Sequence, residues 1–143
     1  LYMDLWNNEI VAHALSCKRG DRMTYLSGLD DLIELKKQYP QYEMNLHSDQ
    51  GAVYASKAFN ELLPMYDISR SMSRAGTPTD NAAMEAINGW IKAEIFMNFH
   101  VTGESPVEEE VAAYITFFNT ARPPYSLKYL TPQQYKEDYA PKD

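Results

Sequence analysis

Two acidic residues, Asp49 and Glu85, occupy positions that suggest chemistry, with thirty-five residues between them. Asp49 directly follows a short predicted strand, at the end where open α/β sheets bind ligands. Glu85 lies in the first turn or so of a long predicted helix, where the helix dipole stabilises an anion. With a third carboxylate from another strand, they would hold two Mg²⁺ ions about 3.5–4 Å apart for in-line attack on a phosphodiester. An acid before a glycine is more often a turn residue, however, so the pattern by itself favours a structural role.

Three basic side chains accompany these acids. Lys92 comes seven residues after Glu85, so two helical turns place both residues and Asn88 on one face. A cation there could contact a DNA phosphate, although a solvated surface lysine is the commoner case. Arg122, beside two prolines, fits either a phosphate contact or a cap at the end of the preceding helix. His47 fits either a partner that orients the nearby acid or a strand-end histidine with a local hydrogen bond.

The composition and charge of the chain exclude some classes of protein. Apolar residues make up 45% of the 143 residues and aromatic residues 13%, which is typical of a globular domain and excludes a disordered chain. No apolar run is long enough to span a membrane, and the single Cys17 excludes an internal disulfide and suits a reducing compartment. The net charge of −7 argues against a nucleic-acid surface, but the acids are clustered, so it only weakens that possibility. Eleven tyrosines could stack on bases, yet Tyr114 and Tyr125 fit core and tail packing as easily, and packing is the favoured role for most of the tyrosines.

The hydrophobic pattern predicts a single α/β domain with the element order β-β-α-β-α-β-α-α. The expected elements are a hairpin of strands 1–6 and 9–16, a helix over 21–39, a strand over 42–47, a helix over 56–63 that ends before Pro64, a strand over 66–72, a helix from the N-cap Asp80 to Phe96, and a helix over 107–119. An irregular tail follows, with a last turn beginning at Thr131. This order predicts a mixed sheet with parallel later strands and helices on both faces.

The amino-acid sequence of several segments resembles the catalytic core of DDE insertion-sequence transposases, the branch that is similar to retroviral integrase. The segments that carry the resemblance are His47-Ser48-Asp49-Gln50-Gly51, Tyr54, Ser73 with Gly76, Asp80-Asn81-Ala82 leading to Glu85, Lys92 with Glu94, and the closing stretch from Tyr114 to Pro123 with Leu127 and Thr131-Pro132. Together they cover nearly the whole chain.

The resemblance implies an RNase H-like fold and Mg²⁺- or Mn²⁺-dependent cleavage and joining of DNA strands, with two ions in the complete site. Asp49 would be the second catalytic acid and Glu85 the third, and both would bind the metal. Lys92 would match the basic residue that meets DNA near the transposon end. The expected partners are transposon-end and target DNA, with no membrane, in a cytoplasmic, nucleoid-associated activity of a bacterium.

Three departures from the family pattern matter. The family's first catalytic Asp belongs to a strand before the one that begins at Leu1, and Asp4 resembles a structural Asp instead. The family often has a His where this chain has Pro124, and its N-terminal helix-turn-helix region has no counterpart here. We therefore expect residues 1–143 to be a catalytic core cut from a longer protein and truncated at its N-terminus. With two carboxylates it should show little catalysis alone. The missing strand leaves unpaired strand edges, so we expect the sheet to keep a gap, to rearrange, or to fill the gap by self-association with another molecule.

Two other functions fit the same sequence. A structure-selective nuclease of the same fold would nick DNA without joining ends. A non-catalytic DNA-binding or oligomerisation module would leave the acids vestigial, which the missing acid and the charge of −7 would suit.

Overall fold

The computed structural model describes residues 1–18, 21–48, 54, 56–74, 82–98 and 106–141. Its elements are β1 (Tyr2–Met3), β2 (Ile10–Ala12), α1 (Arg22–Gln38), β3 (Met44–Ser48), α2 (Lys57–Met65), β4 (Ile68–Met72), α3 (Ala82–Asn98), α4 (Val107–Thr120), a 3₁₀ turn (Tyr125–Leu127) and α5 (Pro132–Tyr139). Two compact units divide the chain: Leu1–His13 with Trp90–Asp143, and Ala14–Gly89. The boundary between the units falls within α3.

The first unit combines the hairpin with α4 and α5. Strands β1 and β2 pair antiparallel, as predicted, and α4 packs against both β2 and α5. The Asn119 side chain extends the β2 edge, because its Oδ1 accepts from the Ile10 N–H and its Nδ2 donates to the Ile10 carbonyl, both at 3.0 Å. The buried apolar side chains of this unit are Tyr2, Ile10, Ala12, Ile91, Val111, Tyr114, Phe118 and Leu127.

The second unit is built on a parallel strand pair. Strands β3 and β4 run side by side from Met44 opposite Ile68 to Ser48 opposite Met72, and α2 packs on β4. Asp21 and Ser56 start helices α1 and α2, where their side chains accept a backbone N–H of the first turn. The buried apolar residues of this unit are Leu29, Leu32, Ile33, Phe59, Leu63, Ile68 and Ile87.

The strands of the hairpin are shorter than the sequence predicts. Only residues 2–3 and 10–12 form strand, where strands over 1–6 and 9–16 were expected. Alternating apolar residues show which segment is extended, but a strand ends where its partner's backbone no longer reaches it. The predicted hairpin is confirmed and its predicted length is wrong.

Helix α2 does not end before Pro64, as was expected, but continues to Met65. Proline lacks the N–H that would complete a helical hydrogen bond, and this costs little in the last turn. The chain tightens there, with the Tyr66 N–H donating to the Leu63 carbonyl at 3.1 Å and the Asp67 N–H to the Pro64 carbonyl at 3.2 Å. Asp67 then adopts a positive φ of 55°, which ends the helix.

The last turn predicted at Thr131 is the start of the eight-residue helix α5. Its first turn is a complete capping box: Thr131 Oγ1 accepts from the Gln134 N–H at 3.2 Å, and Gln134 Oε1 accepts from the Thr131 N–H at 3.0 Å. In the described part of the chain, no helix combines the length and the apolarity needed to span a bilayer.

Replacing Thr131 with alanine should lower the free energy of unfolding by about 1–2 kcal/mol, because a buried N-cap loses its oxygen and leaves a backbone N–H unpaired. Thr131→Ser keeps the oxygen and should lose less than half as much. Urea unfolding followed by circular dichroism measures both. Equal losses in the two variants would show that the methyl group, and not the cap, stabilises this turn.

Candidate functional site

The carboxyl ends of β3 and β4 form one edge of the parallel pair. Ser48 is the last residue of β3, and its carbonyl accepts the N–H of Ser73, just after β4, at 3.0 Å. Asp49 follows Ser48 directly but lies outside the described residues, as do Asp80 and the loop from residue 75. The described strand therefore leads the chain to the sheet edge where the sequence predicts Asp49 to act.

His47 ties the two strands together next to this edge. Its Nδ1 lies 2.8 Å from the Ser71 hydroxyl and its Nε2 lies 3.1 Å from the Ser73 hydroxyl. Ser71 belongs to β4, and Ser73 is the residue that follows this strand. His47 was expected either to orient the nearby acid or to make a local hydrogen bond at the strand end. Among the described residues, it makes local hydrogen bonds.

Glu85 lies in the first turn of α3, exposed to solvent, and Lys92 is exposed two turns later. Seven residues advance a helix by almost two full turns, about 20° short, so the two side chains leave the helix in nearly the same direction. Ile87 and Ile91 are buried, and they point away from this face because they are two residues after Glu85 and one before Lys92. Helix α3 thus presents a carboxylate and an ammonium group on one exposed face.

The predicted acids are not both among the described residues, so their separation stays a prediction. Within the ranges that the structure describes, His, Cys, Asp and Glu side chains do not gather in a group of three that could hold a metal ion. Glu85 is therefore the one predicted metal ligand whose side chain is described.

Arg122 is held by a second acid of α3. Its Nε and Nη2 donate to Glu94, with three distances of 2.7–2.9 Å, and the Tyr114 hydroxyl donates to Glu94 Oε2 at 2.8 Å. The Arg122 and Glu94 side chains are only 20% and 24% exposed, so the pair is largely withdrawn from water. The guanidinium also lies 5.7 Å from the ring centroid of Trp90 and 5.1 Å from that of Phe118.

The surroundings set the protonation of this cluster. Burial raises the pKa of the Glu94 carboxyl, but the hydrogen bonds from Arg122 and Tyr114, with the Arg122 charge, lower it more, so its pKa lies below the ordinary value. Burial, and then the bond to Glu94, raise the pKa of the Tyr114 phenol. Glu94 therefore stays ionised and Tyr114 stays protonated at neutral pH.

The sequence did not indicate that Tyr114 and Glu94 are partners, because their contact spans twenty residues of chain and two helices. A usable signal was present: a tyrosine on the apolar stripe of α4 needs a hydrogen-bond partner for its hydroxyl. Of the two alternatives that the sequence left open for Arg122, the cap of the preceding helix is present, since the Arg122 backbone N–H donates to the Phe117 carbonyl in the last turn of α4 at 3.0 Å. The predicted DNA contact of Arg122 is not tested by this hydrogen bond.

Comparison with known families and proteins adds independent findings. The integrase core domain family matches residues 66–132. The chain is 32% identical over 143 residues to the InsK protein of insertion sequence element IS150 from Escherichia coli strain K12, covering 98% of this chain and 49% of that protein. It is 29% identical over 137 residues to the transposase of insertion sequence element IS904 from Lactococcus lactis, covering 94% and 53% respectively.

Solved structures of retroviral proteins resemble the fold. The catalytic core domain of HTLV-2 integrase, solved with magnesium in a trimeric form, superposes with a TM-score of 0.66 at 16% identity, covering 93% of this chain and 80% of that one. A chain of the simian T-cell lymphotropic virus intasome gives a TM-score of 0.70 at 19% identity, covering 87% and 44%. These similarities confirm the predicted RNase H-like α/β fold.

Removing the charge of Glu94 should destabilise the protein in a pH-dependent way. At pH 7, Glu94→Gln should lower the free energy of unfolding by about 2 kcal/mol, because charge-assisted hydrogen bonds to Arg122 and Tyr114 are lost. Since folding lowers the pKa of Glu94, its stabilisation is complete above the ordinary pKa of 4.5 and disappears as the pH falls through the lower folded pKa. Wild type and variant should therefore converge below that pH.

Denaturant unfolding from pH 7 to pH 3 measures this difference. Glu108→Gln, on the exposed first turn of α4, serves as the matched control and should change stability by less than 0.5 kcal/mol, as exposed substitutions usually do. A constant gap between wild type and Glu94→Gln across the pH range would contradict the role of the ionised pair.

Proposed function

The chain belongs to the integrase core family of insertion-sequence transposases, and we propose that it is the catalytic core of an enzyme that cleaves and joins DNA strands in transposition. The observation that carries this proposal is the exposed face of α3 with Glu85 and Lys92, which lies inside the family-matched segment 66–132. The chain spans about half the length of the curated relatives it matches. The activity of the whole protein is therefore part of the proposal.

The side chains proposed to hold a divalent cation are Asp49 and Glu85. The donor chemistry fits, because an exposed carboxylate at a helix N-terminus offers the oxygen ligands that Mg²⁺ or Mn²⁺ takes while the ion keeps places for water and phosphate oxygens. When bound, two such ions stabilise charge on the attacking and leaving oxygens of an in-line displacement. The proposal places a third carboxylate, the family's first acid, upstream of Leu1.

In the proposed reaction the chain orients DNA for two successive attacks on phosphorus. Water first attacks a phosphodiester at the transposon end, and its oxygen forms the new P–O bond while the 3′-oxygen leaves and takes a proton. The freed 3′-hydroxyl then attacks a target phosphodiester and releases a second 3′-hydroxyl. No covalent bond to the protein forms in either step.

Lys92 is proposed to contact a DNA phosphate, since its ammonium group stands on the same exposed face of α3 as Glu85. Arg122 is proposed to take part in DNA binding as well. Its donors Nε and Nη2 already bind Glu94, so a phosphate would share the guanidinium with that carboxylate. The two basic residues therefore differ, because Lys92 is exposed and Arg122 is mostly shielded.

We further propose that residues 1–143 alone catalyse little, because two carboxylates hold a metal pair poorly, and that the protein self-associates in a bacterial cytoplasm. The HTLV-2 integrase catalytic core was solved in dimeric and trimeric forms, which supports self-association in a protein of this fold.

Glu85→Gln should reduce strand transfer by more than 10³-fold, since a metal-ligating oxygen is replaced by an amide of the same size. The assay uses a protein extended upstream of Leu1 through the predicted first acid, with end-sequence DNA and Mg²⁺. Glu108→Gln, another exposed acid near a helix start, should keep full activity. An unchanged rate in Glu85→Gln would end the catalytic proposal and favour a non-catalytic DNA-binding or oligomerisation module. Nicking without joining would favour a nuclease.

Lys92→Gln should weaken binding of end-sequence duplex DNA and lower the slope of log K against log salt by about 0.9, the value for one phosphate contact. Lys57→Gln, which removes an exposed lysine of α2, should leave the slope unchanged. Fluorescence anisotropy at several salt concentrations measures both variants. Identical slopes for Lys92→Gln and wild type would remove Lys92 from the DNA contact.

A further inference from the structure

The segment after α4 exposes aromatic rings instead of burying them. Tyr125 is 81% exposed and Tyr129 is 67% exposed, and their rings meet edge to face with centroids 5.6 Å apart. Of the two roles that the sequence left open for Tyr125, base stacking or packing in the tail, burial in a packed core does not occur in the structure. Tyr114, by contrast, is fully buried, as packing requires.

The backbone holds these rings outward in a costly conformation. Lys128 and Tyr129 have positive φ angles of 56° and 63°, a region that glycine, asparagine and aspartate adopt far more readily than lysine or tyrosine. The 3₁₀ turn of Tyr125–Leu127 leads into this pair, and Leu127 is buried beneath it. Strain of this kind persists where the surrounding structure enforces it, and it is concentrated at functional sites.

A lysine and further rings continue the surface. Lys128 Nζ lies 4.9 Å from the ring centroid of Tyr139, and Tyr139 in turn stacks on Tyr135 at 4.7 Å. Trp6, half-exposed, meets Tyr135 edge to face at 5.3 Å. We call the residues Tyr125, Lys128, Tyr129, Tyr135 and Tyr139 the tyrosine surface.

The segment that forms the tyrosine surface is less acidic than the protein as a whole. Residues 125–139 contain two lysines, Lys128 and Lys136, and two acids, Glu137 and Asp138, so the segment is neutral although the net charge of the chain is −7. Lys136 is paired with Glu9, whereas Lys128 lies over an aromatic ring. The tyrosine surface thus offers a cation among aromatic faces.

We propose that the tyrosine surface binds unpaired bases of a DNA strand, with Tyr125 and Tyr129 stacking on bases and Lys128 meeting the phosphate backbone. Aromatic rings beside a cation are how proteins hold single strands without reading sequence, because every base has a π-face. This inference rests on the proposed function only for DNA as the partner. It adds a site for strands that are opened when ends are cleaved and joined.

The test measures binding of a fluorescein-labelled 20-nucleotide oligo(dT) to the 143-residue chain by anisotropy, in EDTA so that no metal contributes. Tyr125→Ala and Tyr129→Ala should each weaken binding about tenfold or more, the usual effect of losing one stacked base. Tyr125→Phe keeps the ring and should bind within twofold of wild type. Lys128→Gln should lower the salt slope by about 0.7, the value for one phosphate of a single strand.

The matched control is Tyr42→Ala, which removes an exposed tyrosine of the other unit and should leave affinity unchanged. Thermal melting of each variant checks folding, which the exposed Tyr125 should not affect. Three results would overturn the proposal: no binding by wild type, equal binding by the alanine variants, or an equal loss in Tyr42→Ala. Sedimentation showing that Tyr125→Ala disperses a dimer, with oligo(dT) affinity unchanged, would also overturn it and assign the surface to self-association.

Separate experiments test the proposed catalytic function and the proposed tyrosine surface, so either proposal can be wrong while the other is right. Strand transfer by Glu85→Gln reports on the catalytic function, whereas oligo(dT) affinity in EDTA reports on the tyrosine surface. An active Glu85→Gln protein with weakened binding in Tyr125→Ala would leave only the surface standing, and the reverse result would leave only the catalytic function.

Discussion

The ion pair between Glu94 and Arg122 fixes the rotation of the C-terminal half of helix α3, residues 90–98, within the unit that also contains α4. Burial of Ile87 and Ile91 contributes more free energy, about 1.5–3 kcal/mol for each side chain. Apolar packing is non-directional, however, and tolerates small rotations. A bidentate pair does not, because one residue of rotation turns a side chain by about 100° and would carry Glu94 away from Arg122. Burial of Ile91 holds this half of α3 in place, and the pair fixes its rotation, which leaves Lys92 exposed.

Helix α3 contains two acids, Glu85 and Glu94, whose surroundings differ. Glu85, in the first turn, is exposed and faces the positive end of the helix dipole. Glu94, two and a half turns later, is mostly buried, and three donated hydrogen bonds from Arg122 and one from Tyr114 satisfy it. A carboxylate so fully satisfied has little left to offer a cation. Position along one helix thus separates the acid that is available to a ligand from the acid that holds the fold.

A structural feature could be predicted from the sequence when the residues that determine it are neighbours in the chain. Helix α1 and the start of α5 were predictable, since periodicity and a Thr-Pro cap signal are contained in a few neighbouring residues. The lengths of β1 and β2 were not, because they depend on where a partner backbone ends. The Glu94–Arg122 contact crosses twenty-eight residues, and no pattern in one sequence reports it. At the candidate site, Glu85 and Lys92 were found on the exposed face predicted for them, whereas the meeting of Asp49 with Glu85 stays a prediction.

The net negative charge of the chain, which argued against DNA binding, can be interpreted from the positions of its acidic residues in the structure. Two of the acids, Glu9 and Glu94, are paired with Lys136 and Arg122, which the net charge of −7 already counts, so the acidic excess comes from other residues. Others begin α4, where Glu108, Glu109 and Glu110 complement the helix dipole. At 0.15 M salt a charge is screened over about 8 Å, so a DNA strand responds to the side chains it touches more than to the total. A net charge of −7 therefore describes solubility and steering from a distance, and it does not contradict the proposed contacts of Lys92 and Lys128 with DNA.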